Sequence, residues 1–297
     1  MRNTECGGSM DIVVKKIADN FWVKTKDGIV LAKPRGTMKA RGIFVGDKVK
    51  LNSLHSDIVI EHIEKRHNLL IRPPLANLDQ LVIVLSPMPR PDFYVLDKLM
   101  LFSYAYDIEP ILVVNKQDLS DELNDYVTEV YKPIMKVVLV SAKTGYGIEE
   151  LKFLLRNKLS AFAGQSAVGK SALINSIMGE VIAKEGEISK KVKRGKNTTR
   201  HCEIFCKEDI LIADTAGFTS LDETLLPIPY YELPLYYKDY LPYMSRCRYS
   251  DCKHISEDKA ECAVKTAVCN GQLDKARYNR YTEIYKILMD KWVRTHG

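Results

Sequence analysis

Residues 164–171 read Gly164-Gln165-Ser166-Ala167-Val168-Gly169-Lys170-Ser171, and upstream of them residues 115–118 read Asn115-Lys116-Gln117-Asp118. The first stretch fits G-x-x-x-x-G-K-[ST]. It follows the apolar Ala161-Phe162-Ala163 and opens the helical run Ala172–Met178, which is the strand–loop–helix context of a phosphate-binding loop. Its glycines let backbone N–H groups turn inward around phosphate oxygens at a helix N-terminus. The stretch from Gly164 to Ala172 is therefore the expected phosphate cradle. Lys170 would reach the β- and γ-phosphates, and Ser171 would offer its hydroxyl oxygen to Mg²⁺.

A phosphate loop alone does not choose between ATP and GTP. The choice rests on Asn115-Lys116-Gln117-Asp118, which directly follows the apolar run Ile111–Val114. The Asp118 carboxylate can accept from the ring N–H and the exocyclic amine of guanine. Adenine lacks that donor pair and would leave a carboxylate unpaired. Lys116 can lay its stem over the base, and Asn115 can tie this loop to the phosphate loop. Ser141-Ala142-Lys143, after the run Val137–Val140, would give a backbone N–H to guanine O6.

Downstream, Asp214-Thr215-Ala216-Gly217 follows the apolar Ile210–Ala213. Asp214 would hold Mg²⁺, directly or through water, and the Gly217 N–H would sense the γ-phosphate. The stretch Gly195–His201 reads as a first switch loop, in which Thr198 or Thr199 completes the Mg²⁺ shell. The order along the chain is thus guanine motifs, phosphate loop, first switch, second switch. That is the usual order of a GTP-binding domain, circularly permuted. Strand-end loops still converge, because ligand placement follows the sheet and not the chain's starting point.

The flanks differ in texture. Ile12–Val14, Phe21–Val23, Ile29–Ala32, Val49–Leu51 and Ile58–Ile63 are short β-rich runs with turns at Gly28, Gly36, Gly42 and Gly46-Asp47. They predict a small barrel, OB-like or SH3-like, with OB favoured. After Arg72-Pro73-Pro74, unalternating apolar runs separated by helical patterns predict a parallel sheet covered on both faces. Beyond about Leu221 a Pro- and Tyr-rich connector leads to a Cys/His cluster and a helix over Asp274–Val293. There Tyr281, Ile284, Tyr285, Leu288 and Trp292 share a face. The expected organisation is multidomain: a barrel over 1–69, a permuted α/β P-loop domain over 70–221, and a mainly α domain over 222–297.

The chain has 297 residues, 46% of them apolar, and a net charge of +6. Residues 1–72 hold 14 Lys/Arg against 8 Asp/Glu, a surplus equal to that of the whole chain. A cationic barrel beside a near-neutral remainder suits a polyanionic partner, although a well-solvated surface explains the charge equally well. No apolar run approaches the roughly 18 residues of a membrane span, and Met1–Met10 lacks a signal-peptide run. Met10 can also serve as a start, with Met1–Ser9 then a leader. Seven cysteines without a secretion signal point to a reducing compartment, the cytoplasm, and to metal binding or packing. Cys202 and Cys206 share one face of a strand and read as packing residues.

These motifs resemble the RsgA/YjeQ family, the circularly permuted GTPases of small-ribosomal-subunit assembly. The likeness spans nearly the whole chain, including Arg41–Lys50, Leu70–Gln80, Asn115–Asp118 and Gly195–His201. It departs at Ala167, where the family usually has Gly, and at Ala216, where it usually has Pro. The resemblance implies an OB barrel, a permuted G domain and a C-terminal zinc domain. In that zinc domain Cys247-x4-Cys252-x-His254 and then Cys262 supply three thiolates and one imidazole to a closed structural Zn²⁺ site. The last two ligands are spaced two residues wider than is usual in the family.

The resemblance also implies Mg²⁺-dependent GTP hydrolysis to GDP, stimulated by the small ribosomal subunit, with contacts to its rRNA and no membrane partner. The protein would be a monomer when free. Phe218 stands where Ras-like proteins carry the water-orienting glutamine, so intrinsic turnover should be slow. His201 is the candidate to position water, beside Lys170 as the charge-stabilising group; a surface histidine is the plainer alternative. The basic run Lys190, Lys191, Lys193, Arg194, Lys196 and Arg200 could contact rRNA phosphates or form a solvated loop. The rival to a turnover enzyme is an RNA-binding module that holds GTP only as a structural ligand.

Overall fold

The computed structural model describes residues 11–36, 42–54, 57–71, 73–182, 202–214 and 226–296. The five β-rich runs become β1 (Asp11–Ile17), β2 (Asn20–Thr25), β3 (Gly28–Pro34), β4 (Lys48–Leu54) and β5 (Asp57–Ile63). They close into a ring of order β1-β2-β3-β5-β4-β1. The β3–β5 pairing is parallel, and β4 returns antiparallel to β1 at Asp11 and Ile12. This closed Greek-key ring is the OB order. Its interior holds Val13, Phe21, Val23, Ala32, Val49 and Ile60 from the five strands, with Ile43 from the segment before β4.

A short hairpin, β6 (Leu69–Ile71) and β7 (Pro74–Ala76), leads out of the barrel where the sequence suggested only a change of texture. Three side chains lock this exit. Arg66 grips Asp47 with Nε on Oδ1 at 2.6 Å and Nη2 on Oδ2 at 2.9 Å. Asn68 exchanges two bonds with the Leu78 backbone, at 2.8 and 2.9 Å. Asn77 donates to Gly46 O at 2.9 Å. All three connect polar groups that would otherwise be stranded at a buried junction.

The next elements are β8 (Gln80–Leu85), α1 (Phe93–Ala105), β9 (Glu109–Val114), α2 (Asp121–Val130), β10 (Lys136–Leu139), α3 (Ile148–Leu155), β11 (Leu159–Ala163), α4 (Lys170–Met178), β12 (Glu203–Lys207) and β13 (Ile210–Asp214). The sheet order is β10-β9-β8-β11-β13-β12, parallel except for β12. Continuous apolar strands serve both faces. Leu81, Ile83, Leu85, Leu112 and Val114 pack toward α1 and α2, while Val82, Val84, Ile111 and Val113 pack toward α3 and α4. Because β8, β9, β10, β11 and β13 run the same way, their following loops gather at one sheet edge. β12 ends this sheet and meets the barrel through Lys15 and Glu203, which are register partners and ion-paired at 2.9 Å.

In the C-terminal part, a 3-10 turn over Tyr230–Tyr236 and a one-turn helix over Leu241–Met244 precede α5 (Ala263–Cys269) and α6 (Lys275–His296). The expected face of α6 is buried through Tyr281, Ile284, Tyr285 and Leu288, and Trp292 packs edge-on against Tyr230 and Tyr231. Cys202, just before β12, is buried, and with the half-buried Cys206 it packs against the core on the α1–α2 side, as a shared strand face predicts. That core runs unbroken into the C-terminal part through Leu233, Tyr237 and Tyr240. No helix among the described residues is long and apolar enough to cross a membrane.

Candidate nucleotide site and metal centre

The phosphate loop lies between β11 and α4, at the sheet edge where the strand-end loops gather. Gly164 has φ +127°, and a Cβ there would stand 2.3 Å from Val84 O; at Gly169 (φ +95°) it would stand 2.3 Å from Asn115 Nδ2. Both positions therefore require glycine. Lys170 is buried, and its Nζ donates to Gly164 O at 2.8 Å and Gln165 O at 2.6 Å. Burial pulls its pKa down to about 8. Ser171 and Ala172 follow on the first turn of α4, both half-buried; Ser166 is exposed and Val168 buried.

Asn115 is the hinge pin of the site. It is buried, its Nδ2 donates to Val168 O at 2.9 Å, and its Oδ1 accepts from the Ala142 N–H at 3.1 Å. One side chain thus ties the guanine loop to the phosphate loop and to the 141–143 loop. Lys116 has φ +58°, and its Nζ donates to Ala167 O at 3.0 Å and Met88 O at 2.7 Å. Asp118 sits in the 3-10 turn Gln117–Leu119 and is exposed. Ser141 is buried with its N–H on Tyr146 O at 3.0 Å and its Oγ accepting from Thr144 N at 3.3 Å. Lys143 is exposed.

Asp214 ends β13, beside β11. Thr198, Thr199, His201 and Gly217 lie outside the described residues, as do Phe218, Ala216, the basic run from Lys190 to Arg200, and Met1–Met10.

The Cys/His cluster converges. Cys247 Sγ, Cys252 Sγ and Cys262 Sγ lie 3.8, 3.2 and 3.3 Å from His254 Nδ1. The four ligand atoms all fall within 4.8 Å of one another. A tetrahedral Zn²⁺ with ordinary Zn–S and Zn–N bonds has an S···N edge of about 3.6 Å, so the donor set fits the ion. His254 adopts the left-handed backbone (φ +59°), held by Tyr278, whose hydroxyl donates to His254 O at 2.8 Å. Burial lowers the imidazole's pKa to about 4, which keeps it neutral as a ligand must be. Burial also raises the Cys252 and Cys262 thiols, so they need the metal's charge to ionise. The cluster can hold one zinc with no position left open, a structural site.

The family model for RsgA GTPase matches residues 63–224. The small ribosomal subunit biogenesis GTPase RsgA of Ruminiclostridium cellulolyticum is 36% identical over 95% of this chain and 94% of its own. That of Caldanaerobacter subterraneus is 37% identical over 96% and 97%. This chain belongs to the RsgA GTPase family. The crystal structure of YjeQ from Thermotoga maritima superposes with a TM-score of 0.77 at 33% identity, covering 94% of this chain and 98% of that one. YloQ, a circularly permuted GTPase, gives 0.76 at 26% identity, covering 98% of this chain and 99% of its own. RsgA-family membership brings GTP, GDP and Mg²⁺ as ligands of the permuted domain.

The departure at Ala167 has a geometric meaning. Ala167 has φ +66°, a conformation that glycine adopts freely and an L-residue only with strain. The glycine usual in the RsgA family is explained by this φ. Ala167→Gly is expected to stabilise the protein by about 1 kcal/mol and raise its melting midpoint by about 2 °C. A thermal melt showing a lower midpoint would contradict the strain assigned to Ala167.

Several contacts in the site escaped sequence reasoning: the Gln165 side chain on Asp92, Lys116 on Met88 O, and the buried Asp97 with Arg277 behind them. Asp92 before an apolar helical run is an N-cap signal that could have been read. The partners of Gln165, Met88 and Asp97 carry no local signal.

Proposed function

We propose that this protein hydrolyses GTP in the assembly of the small ribosomal subunit, binding the maturing particle and leaving after hydrolysis. The observation that carries the reading is Asn115, whose amide bridges the guanine motif, the phosphate loop and the 141–143 loop. Asp118 would accept from guanine's two donors. A backbone N–H of the Ser141-Ala142-Lys143 loop would donate to guanine O6. The backbone of 164–172 would cradle the phosphates, with Lys170 swinging from its loop carbonyls onto phosphate oxygens to balance charge developing at the γ-phosphoryl. Ser171, Asp214 and Thr199 would hold Mg²⁺, which supplies neutralisation of the β- and γ-oxygens. The Gly217 N–H would sense the γ-phosphate, and His201 would orient the attacking water.

The cationic barrel and the zinc domain suit rRNA contact, and the protein would act in the cytoplasm as a monomer when free. Turnover measured with and without purified small subunits tests this. GTP hydrolysis is expected to be slow alone and at least about tenfold faster with subunits. His201→Ala should keep GTP affinity and lose roughly one to three orders of magnitude of the stimulated rate. Equal turnover with and without subunits would reject the assembly role, and wild-type stimulation of His201→Ala would make the histidine a bystander.

A further inference from the structure

Gln165 occupies a variable position of the phosphate-loop motif, yet its side chain leaves the loop. Its Oε1 accepts the Asp92 N–H at 3.0 Å. Asp92 is the N-cap of α1, and its own Oδ1 accepts from Tyr94 N at 3.0 Å and Val95 N at 3.1 Å. The segment that leads into α1 is gripped a second time at Met88 O by Lys116, the same ammonium that holds Ala167 O. Both nucleotide-reading loops therefore hold the start of this helix.

Further along α1, Asp97 is 1% exposed and faces the C-terminal domain. Its Oδ1 accepts from Arg277 Nη1 and its Oδ2 from Arg280 Nε at 2.6 Å. Arg277, itself 3% exposed, also donates to Asp239 Oδ2 at 3.1 Å and stacks on the rings of Tyr237 and Tyr131 at 4.7 and 5.4 Å. Arg280 donates to the Tyr131 hydroxyl at 3.0 Å. A buried guanidinium in this fork cannot slide gradually, because any intermediate position leaves charge unpaired away from water. Asp92 and Asp97 are joined by about one and a half turns, roughly 8 Å, of the 13-residue α1. Displacement at Asp92 is thus either carried to Asp97 or resisted there.

The nucleotide has a physical handle on this chain of contacts. Lys170 Nζ rests on Gln165 O at 2.6 Å, and a phosphate oxygen within its reach competes for that ammonium. Loading the loop therefore changes the partner of Gln165's own backbone, while its side chain stays bonded to the N-cap. We propose that Gln165 is a positioning residue that fixes α1 against the phosphate loop, so that triphosphate binding and the seating of α6 on Asp97 strengthen each other. The proposal rests on residues 164–171 being the triphosphate cradle. Reciprocity follows from linkage: whatever nucleotide does to the zinc domain's seating, that seating does to nucleotide affinity.

The test is a double-mutant cycle on the full chain, titrated with a non-hydrolysable GTP analogue. Gln165→Met keeps the side chain's length and removes its acceptor. Arg280→Met removes one partner of Asp97 and leaves Arg277 in place, with Arg280→Lys as the substitute if the methionine variant does not fold. Each single change is expected to raise the Kd at least about fivefold, and the double change to raise it little further. Hydrogen exchange gives a readout that a merely structural role would not move. The analogue is expected to slow amide exchange over residues 277–285 in the wild type and not in Gln165→Met. Effects that multiply in the double variant, or protection that survives in Gln165→Met, overturn the proposal. Lys170→Ala separates its failure from failure of the underlying reading. If Lys170→Ala binds the analogue like wild type, the cradle assignment and the proposal both fall. If it loses binding while Gln165→Met behaves as wild type, only the coupling falls.

Discussion

Cys252→Ser is expected to release one zinc per chain and unfold the segment between Tyr240 and Cys269. The four donors come from a loop with little regular structure of its own, a single 3-10 turn over Lys259–Glu261. His254 holds a left-handed backbone there, and the raised Cys252 and Cys262 thiols would be buried and unionised without a cation. Structural zinc contributes on the order of 10–16 kcal/mol to the folded state of a small site, far more than the local apolar contacts can replace. The G domain's sheet and its loops share no ligand with the cluster, so GTP binding should persist within about tenfold, the margin expected of sites coupled through α1. Elemental analysis of the wild-type protein should find one zinc per chain, and finding none would refute the site outright.

The second large effect is expected at Asp97. Asp97→Ala leaves Arg277 buried with Asp239 alone, and takes from Arg280 its only carboxylate partner among the described residues. Removing one member of a buried ion pair costs about 3–5 kcal/mol, because the remaining charge stays desolvated. The loss falls on the seam between α1 and α6, so denaturant unfolding should become less cooperative as the C-terminal part separates earlier. A stability change below about 1 kcal/mol would mean that water reaches Arg277 and that the pair carries little.

Much of the site was legible because its chemistry is local. The loop at 164–171 is a backbone shape that glycines at 164 and 169 permit within eight consecutive residues, and the guanine motif Asn115–Asp118 is likewise four consecutive residues. The permuted order could be read along the chain without any knowledge of the sheet. The barrel strands showed as runs rich in β-branched and aromatic residues, and in β2 the buried Phe21 and Val23 alternate with the half-buried Asn20, Trp22 and Lys24. The cluster at Cys247, Cys252, His254 and Cys262 showed by residue type, and its closeness in space is what the ligand chemistry requires.

What the sequence by itself determined, then, is the order and local context of the short motifs and the strand- or helix-like texture of the segments around them. Only the tertiary structure decided the parallel β3–β5 pairing, the junction of β12 with β1, the left-handed Ala167, and the bonds from Gln165 to Asp92 and from Asp97 to Arg277. The physical reason is range. A turn or a cradle is set by neighbouring backbone dihedrals, which each residue's own side chain constrains. A buried ion pair between residues 97 and 277 exists because the sheet, α1 and α6 bring two distant charges together and exclude the water that would otherwise solvate them.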